Sequence, residues 1–306
     1  MEATRKILDL IEQHKSEDAY LLPMRLKGLS PEERLLVSQG VLSKQKIRHK
    51  LPQWYANKDI YIPDPTIAEQ ASSHITAEEK CKWLHSYDLI VDLTGGLGAD
   101  TFSLSSKSEE LIYVEPSPER AEAFRHNACV LGKKVDIYNT TAEVFIRETL
   151  PNLGAEQKSI LFYADPDRRP DGGDKREQDP RNCLPDILEI EAYLRTHYPS
   201  AHLLIKLSPI VDISLLNTLF DFIPNIYALA LDGELKEVCL FFDRSRTGSS
   251  LITAIHLHHD TSDTVTKPNE KNSEPSLLET LEAFRYIYIT NPALSKIGIG
   301  GTVWAD

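Results

Sequence analysis

The residues with the clearest chemical potential form a glycine-rich turn directly after an apolar run. Residues 92–100 read DLTGGLGAD, and they follow Leu89–Val91. Glycines at a strand-to-helix turn let the backbone approach a ligand closely and adopt left-handed dihedral angles. Neither the GxGxxG spacing of nicotinamide sites nor the phosphate loop of nucleoside triphosphate sites is present. Asp92 would repel a pyrophosphate but can accept hydrogen bonds from a cationic amino group. The turn therefore predicts a ligand with such a group, and a tight turn that binds nothing is the alternative.

Two further polar positions follow the next two apolar runs. Glu115 ends the second run, where a carboxylate can accept both hydroxyls of an adenosine ribose. This geometry serves NAD and S-adenosylmethionine alike, and a solvated acid at a strand end is the alternative. After the third run, Asn139, Thr141 or Glu143 could accept a hydrogen bond from an adenine amino group. Thr141 is equally suited to cap a helix.

A charged segment follows the fourth apolar run. It contains Asp165 and Pro166, and then Arg168 and Arg169. Asp165 could take a proton or a hydrogen bond from a target amine, and Pro166 would fix the backbone that follows. The two arginines can hold phosphates in bidentate fashion, although a surface loop with an internal Asp–Arg pair is the alternative. After the fifth run, Lys206 could neutralise a phosphate or a carboxylate, or extend its ammonium to solvent.

The elements that must position these residues alternate between short apolar runs and helical stretches, which is typical of a mostly parallel sheet. The predicted strands are 89–91, 111–114, 135–138, 160–163, 203–205, 226–231 and 238–242. The turn Asp232-Gly233-Glu234 between the last two leaves no room for a crossover helix. The predicted fold class is therefore α/β, with five parallel strands and a C-terminal antiparallel hairpin. Residues 251–257 could add a strand.

The rest of the chain suggests how this sheet is flanked. We predict an N-terminal helical domain (1–85), a central α/β domain (86–259), a linker or loop (260–276) and the start of a small C-terminal segment (277–306). Within the first domain, the predicted helices are 3–14, 31–43 and 67–85, with an ordered loop over 51–65. Ser30 and Glu33 predict a capping box at the start of the second helix.

The motifs DLTGGLGAD, VEPSPERAEAFRHNA, DPDRR and KLSP, in this order, resemble those of class I, Rossmann-like S-adenosylmethionine-dependent methyltransferases. Within that superfamily, the chain is similar to bacterial RNA methyltransferases that carry a C-terminal ferredoxin-like and THUMP-like region. The resemblance is clear over residues 51–242 and weak over 286–297. It implies a seven-stranded sheet with a reversed last hairpin, and S-adenosylmethionine as the cofactor.

The resemblance also implies a set of residues at the cofactor: Asp92, Thr94, Gly95, Gly96, Gly98, Asp100, Glu115, Thr141 and Asp165. Of these, Glu115 would hold the ribose, and Asp165 with Pro166 would lie near the transferring methyl group as the catalytic residues. The acid that the family usually carries on the adenine side is replaced here by Thr140-Thr141. The aromatic residue that ends its amino-methyltransferase motif is replaced by Arg168.

A basic segment near the N-terminus predicts contact with RNA. Residues 25–50 hold seven cations and two acids, within a chain whose 34 Lys and Arg and 46 Asp and Glu give a net charge of −12. Trp54 and Tyr55 follow directly, and a basic helix beside aromatics can hold phosphates and stack an unpaired base. A solvated helix face over core aromatics is the alternative. We therefore place Trp54 with Arg168, Arg169 and Lys206 among the candidate substrate-binding residues.

Other function classes are disfavoured by what the sequence lacks. No run of 18 apolar residues predicts a membrane span, and four scattered cysteines without a CxxC pair fit a reducing compartment, so we expect a cytoplasmic protein. His256 and His258 would share a strand face, but no further ligands at finger-like spacing accompany them, so no metal is expected.

The predicted function is thus S-adenosylmethionine-dependent methylation of a base in structured RNA, either rRNA or tRNA. One alternative is the same enzyme class acting on a small molecule or a protein side chain. The other is a non-catalytic module that binds RNA or the cofactor.

Overall fold

The computed structural model describes residues 2–167, 179–220, 224–246, 248–258, 261–269 and 291–298. The chain divides into two compact units, Met1–Ile160 and Leu161–Asp306. Arg168 and Arg169, and most of the predicted C-terminal segment (277–306), lie outside the described residues. Within the described ranges, no helix is long and apolar enough to cross a membrane.

The first unit opens with helices, as the sequence predicts. Those described before the first strand are α1 (Glu2–His14), α2 (Leu22–Arg25), α3 (Pro31–Ile47), α4 (Pro52–Ala56), α5 (Pro65–Gln70) and α6 (His74–Lys82). The capping box of α3 is confirmed, because the Glu33 amide donates to Ser30 Oγ at 3.2 Å and the Ser30 amide donates to the Glu33 carboxylate at 2.8 Å. The helix extends four residues past the predicted end, and its last residue, Ile47, is buried.

The region 51–85 differs from the prediction in two places. The stretch predicted as one helix over 67–85 forms α5 and α6, because Ala71 leaves helical geometry and Ser73 Oγ then accepts the Thr76 amide at 3.1 Å to cap a new helix. The predicted loop over 51–65 contains the short helix α4. This helix begins at Pro52, and proline is favoured at a first helical position because its missing N–H costs nothing there.

The sheet of the first unit is parallel. Its strands are β1 (Leu89–Asp92), β2 (Glu110–Val114) and β3 (Asp136–Tyr138), in the order β3-β2-β1. The helices between and after them are α7 (Ala99–Leu104), α8 (Pro118–Val130) and α9 (Ala142–Val144). The carboxyl ends of parallel strands meet at one edge of a sheet. That edge therefore brings together Asp92, Glu115 and Asn139, as the sequence predicts.

The strands of the second unit pair in both parallel and antiparallel fashion. Its elements are β4 (Ile160–Ala164, which begins at the boundary residue), α10 (Ile187–His197), β5 (His202–Leu207), α11 (Ile213–Leu219), β6 (Asn225–Leu231), β7 (Glu234–Phe242), β8 (Leu251–Leu257), β9 (Ser262–Pro268) and α12 (Pro292–Lys296). β4 and β5 are parallel, and β7 is antiparallel to both β5 and β6. The predicted closing hairpin is therefore present.

The described chain has nine strands rather than the seven predicted. β8 runs parallel to β6, and β9 runs antiparallel to β8. The linker predicted over 260–276 thus contains a strand, in which Thr266 Oγ1 lies 3.0 Å from Thr253 Oγ1 across the pair. The polar composition of β9 led to the prediction of a linker. β9 is almost wholly exposed, and it pairs through backbone groups, which leave no pattern in the sequence.

Candidate functional site

The glycine turn of the first unit rests on stacked aromatic rings. Gly95, Gly96 and Gly98 have φ values of 37°, 60° and 80°. A Cβ atom at Gly95 would lie 2.5 Å from the Tyr113 ring, and one at Gly98 would lie 2.3 Å from the Phe124 ring. These two rings stack with centroids 3.6 Å apart, and the Tyr113 hydroxyl donates to Gly96 O at 2.7 Å. The turn needs glycine both for its dihedral angles and for its close approach to the rings.

Asp92 holds the turn in place from below. Its Oδ1 atom accepts the amides of Thr94 and Gly95, each at 3.0 Å, and its Oδ2 atom accepts the Thr101 hydroxyl. The side chain is buried, and burial raises the pKa of Asp92 to about 7, against the hydrogen bond from Thr101 that lowers it. The carboxyl group is therefore near its titration point at neutral pH, where an approaching cation would favour the ionised form.

Glu115 connects the end of β2 to the same turn. Only 3% of this residue is exposed, and its two carboxylate oxygens accept the amides of Gly96 and Ser117, each at 2.9 Å. A carboxylate offers about four lone-pair positions, so two backbone amides leave acceptor capacity for further donors. Asn139 Nδ2 donates to the Glu115 backbone carbonyl at 2.8 Å and so braces the end of β2 from β3.

Thr141 serves as a helix cap in this structure. Its hydroxyl accepts the Val144 amide at 3.3 Å at the start of α9. This is the capping alternative that the sequence left open.

A cleft of about 450 Å³ opens beside Glu115. Small-molecule sites usually measure between 300 and 1,000 Å³. Arg120 in its wall is paired with Asp64 at 2.7 Å. The residues around the cleft come from α3, from the segment before α5, from the connection between β2 and α8, and from the start of α8: Gln39, Pro63, Asp64, Glu115, Pro116, Ser117, Glu119 and Arg120.

The Asp100 side chain forms buried polar contacts with the helical region before β1. Ser72 Oγ donates to its Oδ2 atom at 2.7 Å, and the ammonium group of Lys80 lies 3.1 Å from its Oδ1 atom. The Lys80 and Asp100 side chains are only 2% and 9% exposed, so this is a buried ion pair between α6 and α7. The family resemblance places Asp100 among the cofactor residues, and in the structure it lies in the first turn of α7 and pairs with Lys80. Lys80 carries no local signal, because only the tertiary fold brings α6 against α7.

The predicted RNA-stacking role of Trp54 is wrong. Trp54 is 8% exposed and packs edge-to-face on Phe102, with ring centroids 5.4 Å apart. The basic segment before it is also largely engaged in folding: Lys44 is buried and donates to the carbonyls of Trp54 and Asn57 at 2.8 and 2.6 Å. Trp54 belongs to the core of the first unit because its ring fills the space between the helices and the glycine turn.

Several other cations of the basic segment also bond within the protein. Arg25 pairs with Glu17, Lys46 pairs with Glu69, and Arg34 donates to the carbonyls of Lys27 and Leu29. Lys27 and Arg48 are exposed, with the guanidinium group of Arg48 over the Tyr55 ring at 5.8 Å.

In the second unit, Asp165 and Lys206 form an ion pair. Their charged atoms lie 2.5 Å apart, and the side chains are 39% and 10% exposed respectively. The pair follows from the parallel register, in which Ala164 at the end of β4 is the partner of Ile205 in β5. Two residues that the sequence singled out separately are thus brought into contact.

The residues directly after Asp165 are held by backbone hydrogen bonds to a later part of the chain. Pro166 is buried, and the backbone of Asp167 exchanges two hydrogen bonds with that of Leu184, at 2.7 and 3.0 Å. Asp165 is therefore a partly exposed residue at the end of β4, and the backbone that follows it is held in place by hydrogen bonds.

The histidines of β8 do not form a ready metal site. Potential ligand atoms of His256, His258 and Asp263 lie within 4.8 Å of one another. However, the Gly233 amide donates to His256 Nε2 at 3.1 Å, so that lone pair is already used and the other ring nitrogen carries the proton in a neutral ring. A metal ion would have to displace this hydrogen bond.

The chain is similar to several solved structures. A "putative methyltransferase" from Porphyromonas gingivalis W83 shares 26% identity, with a TM-score of 0.78 over 99% of this chain and 74% of that chain. An rRNA methylase from Streptococcus thermophilus (16% identity, 56% of this chain and 93% of that chain) and a "putative methyltransferase" from Streptococcus mutans in complex with SAH (14%, 54% and 95%) have TM-scores of 0.36 and 0.38.

The last two scores are too low for either likeness to bear on the site. No family model matches the sequence, and no curated protein matches it. Along nearly its whole length, the chain therefore has the fold of the Porphyromonas gingivalis protein.

Proposed function

We propose that this protein is an S-adenosylmethionine-dependent methyltransferase that modifies a base in structured RNA. The observation that carries the proposal is Glu115, a buried carboxylate that accepts the Gly96 amide of a glycine turn and borders a cleft of about 450 Å³. Over nearly the whole chain, the similarity to a Porphyromonas gingivalis protein described as a "putative methyltransferase" supports the methyltransferase part of this proposal.

The residues of the first unit fit the polar groups of this cofactor. Glu115 has acceptor capacity for the two ribose hydroxyls, and Asp92 lies in the turn where a cationic amino group would favour its ionised form. When bound, the cofactor would supply a methyl group on a sulfonium, whose sulfur leaves readily as a neutral thioether. The protein therefore needs to position the acceptor and to accept a proton from it.

Asp165 is the residue of the second unit that we assign to the acceptor. It is partly exposed, and Lys206 fixes the orientation of its carboxylate through the 2.5 Å contact. A carboxylate held in this way can accept a hydrogen bond from an exocyclic amine and orient the nitrogen lone pair. Arg168 and Arg169 follow Asp165 after two intervening residues, and we propose that they bind RNA phosphates.

The reaction is tested with S-adenosylmethionine carrying a labelled methyl group. Purified protein is incubated with total bacterial RNA, with the matched protein fraction and with the small-molecule extract in separate reactions. We expect label in RNA, and a loss of at least a hundredfold in Asp165→Ala. Label in protein or in small molecules alone would favour the alternative substrates, and cofactor binding without any transfer would favour a non-catalytic module.

The cofactor assignment is tested separately by calorimetry. Glu115→Gln should weaken binding of S-adenosylmethionine about 10- to 100-fold, because hydrogen bonds to a charged acceptor contribute roughly 1.5–3 kcal/mol. Glu122→Gln is the control, since Glu122 pairs with Arg125 on the exposed face of α8. Equal affinities in the two variants would contradict the role of Glu115, and no binding by the unmodified protein would remove the cofactor assignment.

A further inference from the structure

A third charged residue lies on the sheet face that carries Lys206. In the antiparallel pair of β5 and β7, Lys206 is directly opposite Cys239. Residues directly opposite each other project to the same face, and residues two apart along a strand do so as well. Glu237 therefore shares a face with Lys206, and it is only 4% exposed.

The position of the Glu237 carboxylate agrees with this register. The Cys239 thiol, which is fully buried, lies 3.8 Å from Glu237 Oε1, so the carboxylate extends over the residue opposite Lys206. Diagonal neighbours on one face of an antiparallel pair are within reach of long side chains. A buried carboxylate and a buried ammonium at such positions compensate each other's loss of hydration.

The backbone of β7 is irregular at this residue. Glu237 pairs with Leu229 of β6, but the next pair is Leu235 with Ala230, so Lys236 is an extra residue in β7. Such bulges re-aim a side chain or end a pairing, and they are over-represented beside active sites. Here the regular part of β7 begins at the buried acid.

We infer that Glu237 is a positioning residue of the acceptor site and that it holds Lys206 against Asp165. Exposure increases along the three residues, from Glu237 through Lys206 to Asp165, whose side chain is 39% exposed. Asp165 is thus the member that can touch a substrate, and the other two act through it. The effect of Glu237 on catalysis rests on the proposed function. The electrostatic interaction among Glu237, Lys206 and Asp165 does not.

The coupling is measured first, on unfolding in urea at pH 7.5. The variants are Glu237→Gln, Lys206→Met and the double variant. We expect the effects to be non-additive, with a coupling of at least fivefold in the unfolding equilibrium constant. Glu234→Gln is the matched control, because Glu234 is an exposed acid of the same strand that pairs with Lys236, and it should show no coupling to Lys206. A coupling below twofold for Glu237 would overturn the inference whether or not the protein methylates RNA.

The positioning role is measured second, as methyl transfer to total bacterial RNA at 25 °C. Glu237→Gln should lower kcat at least tenfold while the KM for RNA and the calorimetric affinity for S-adenosylmethionine stay within twofold. Loss of a purely structural residue would lower the melting temperature without a selective fall in kcat. A kcat for Glu237→Gln equal to that of Glu234→Gln would overturn the inference. If the unmodified protein transfers no methyl group to RNA, the proposed function fails, and the unfolding measurement alone decides the present inference.

Discussion

Lys44 shows how a single residue can link folding to pH. Its ammonium donates to two backbone carbonyls in the interior, and burial lowers the pKa of Lys44 from 10.5 to about 8. Between these values the unfolded chain binds more protons than the folded chain, so the free energy of unfolding rises with pH in that window. Well below pH 8 both states are protonated and the contribution is constant.

We therefore expect a pH-dependent difference between the unmodified protein and Lys44→Met. From pH 7 to pH 10, the unmodified protein should gain about 2.5 kcal/mol of unfolding free energy relative to the variant. Urea unfolding at the two pH values measures this. Lys46→Met, which removes a more exposed ammonium paired with Glu69, is the control. A constant difference between Lys44→Met and the unmodified protein would contradict the prediction.

Asp92 should give the opposite pH dependence. Because burial raises its pKa from 3.8 to about 7, the folded chain binds more protons than the unfolded chain between these values. Stability from this group is therefore greatest at low pH and is lost as pH rises through 7. From pH 5 to pH 8, the unmodified protein should lose about 2.5 kcal/mol relative to Asp92→Asn, measured by urea unfolding. Parallel pH profiles for the two proteins would be inconsistent with a buried, protonated Asp92.

At the scale of elements, the turn between β1 and α7 is constrained by what lies beneath it. An alanine at Gly98 would have φ near 80° and a Cβ atom 2.3 Å from the Phe124 ring. The left-handed geometry costs about 1–2 kcal/mol, and the overpacking costs about 1–3 kcal/mol more. Gly132 has a φ of 64°, and a Cβ atom there would have no neighbour within 4 Å, so this position isolates the first of these effects.

Gly98→Ala should accordingly lower the free energy of unfolding by about 2–5 kcal/mol, and Gly132→Ala by about 1–2 kcal/mol. Chemical denaturation of both variants measures the difference. Equal losses would mean that the Phe124 ring moves aside without cost and that the aromatic rings do not fix the turn.

The elements also show where sequence patterns suffice. The start of α3 was predictable because a capping box is a local arrangement of Ser30 and Glu33. The hairpin of β6 and β7 was predictable because Asp232-Gly233 allows only a short turn. Strand β9 was not, because its partner β8 supplies the pairing and its own side chains remain exposed.

At the scale of the whole molecule, the net negative charge limits the affinity for RNA that the proposed function requires. The net charge is −12, and most cations of the basic segment bond to carbonyls or acids of the protein, which leaves Lys27 and Arg48 among its exposed cations. Each phosphate contact adds close to one unit to the salt dependence of binding. Few contacts therefore predict a shallow dependence.

We expect the KM for RNA to rise only about tenfold between 50 and 200 mM salt, which corresponds to roughly two to three phosphate contacts. Steady-state methylation at several salt concentrations measures the slope. Arg48→Gln should make the slope shallower, and Lys46→Gln should leave it unchanged, because Lys46 is paired with Glu69. A slope several times steeper would point to a larger basic surface than the described residues provide.

Local chemistry specifies several parts of this protein, and these parts can be predicted from the amino-acid sequence. The glycine turn, the acid after β2 and the Asp-Pro segment after β4 were all placed at strand ends, because turn residues and apolar runs are readable without tertiary contacts. Tertiary structure alone decided which side chains those positions meet. It buried Trp54 and Lys44 in the first unit, and it joined Asp165 to Lys206 in the second. The physical reason is that burial and charge pairing depend on neighbours far apart in the chain, and these come together only when the elements pack.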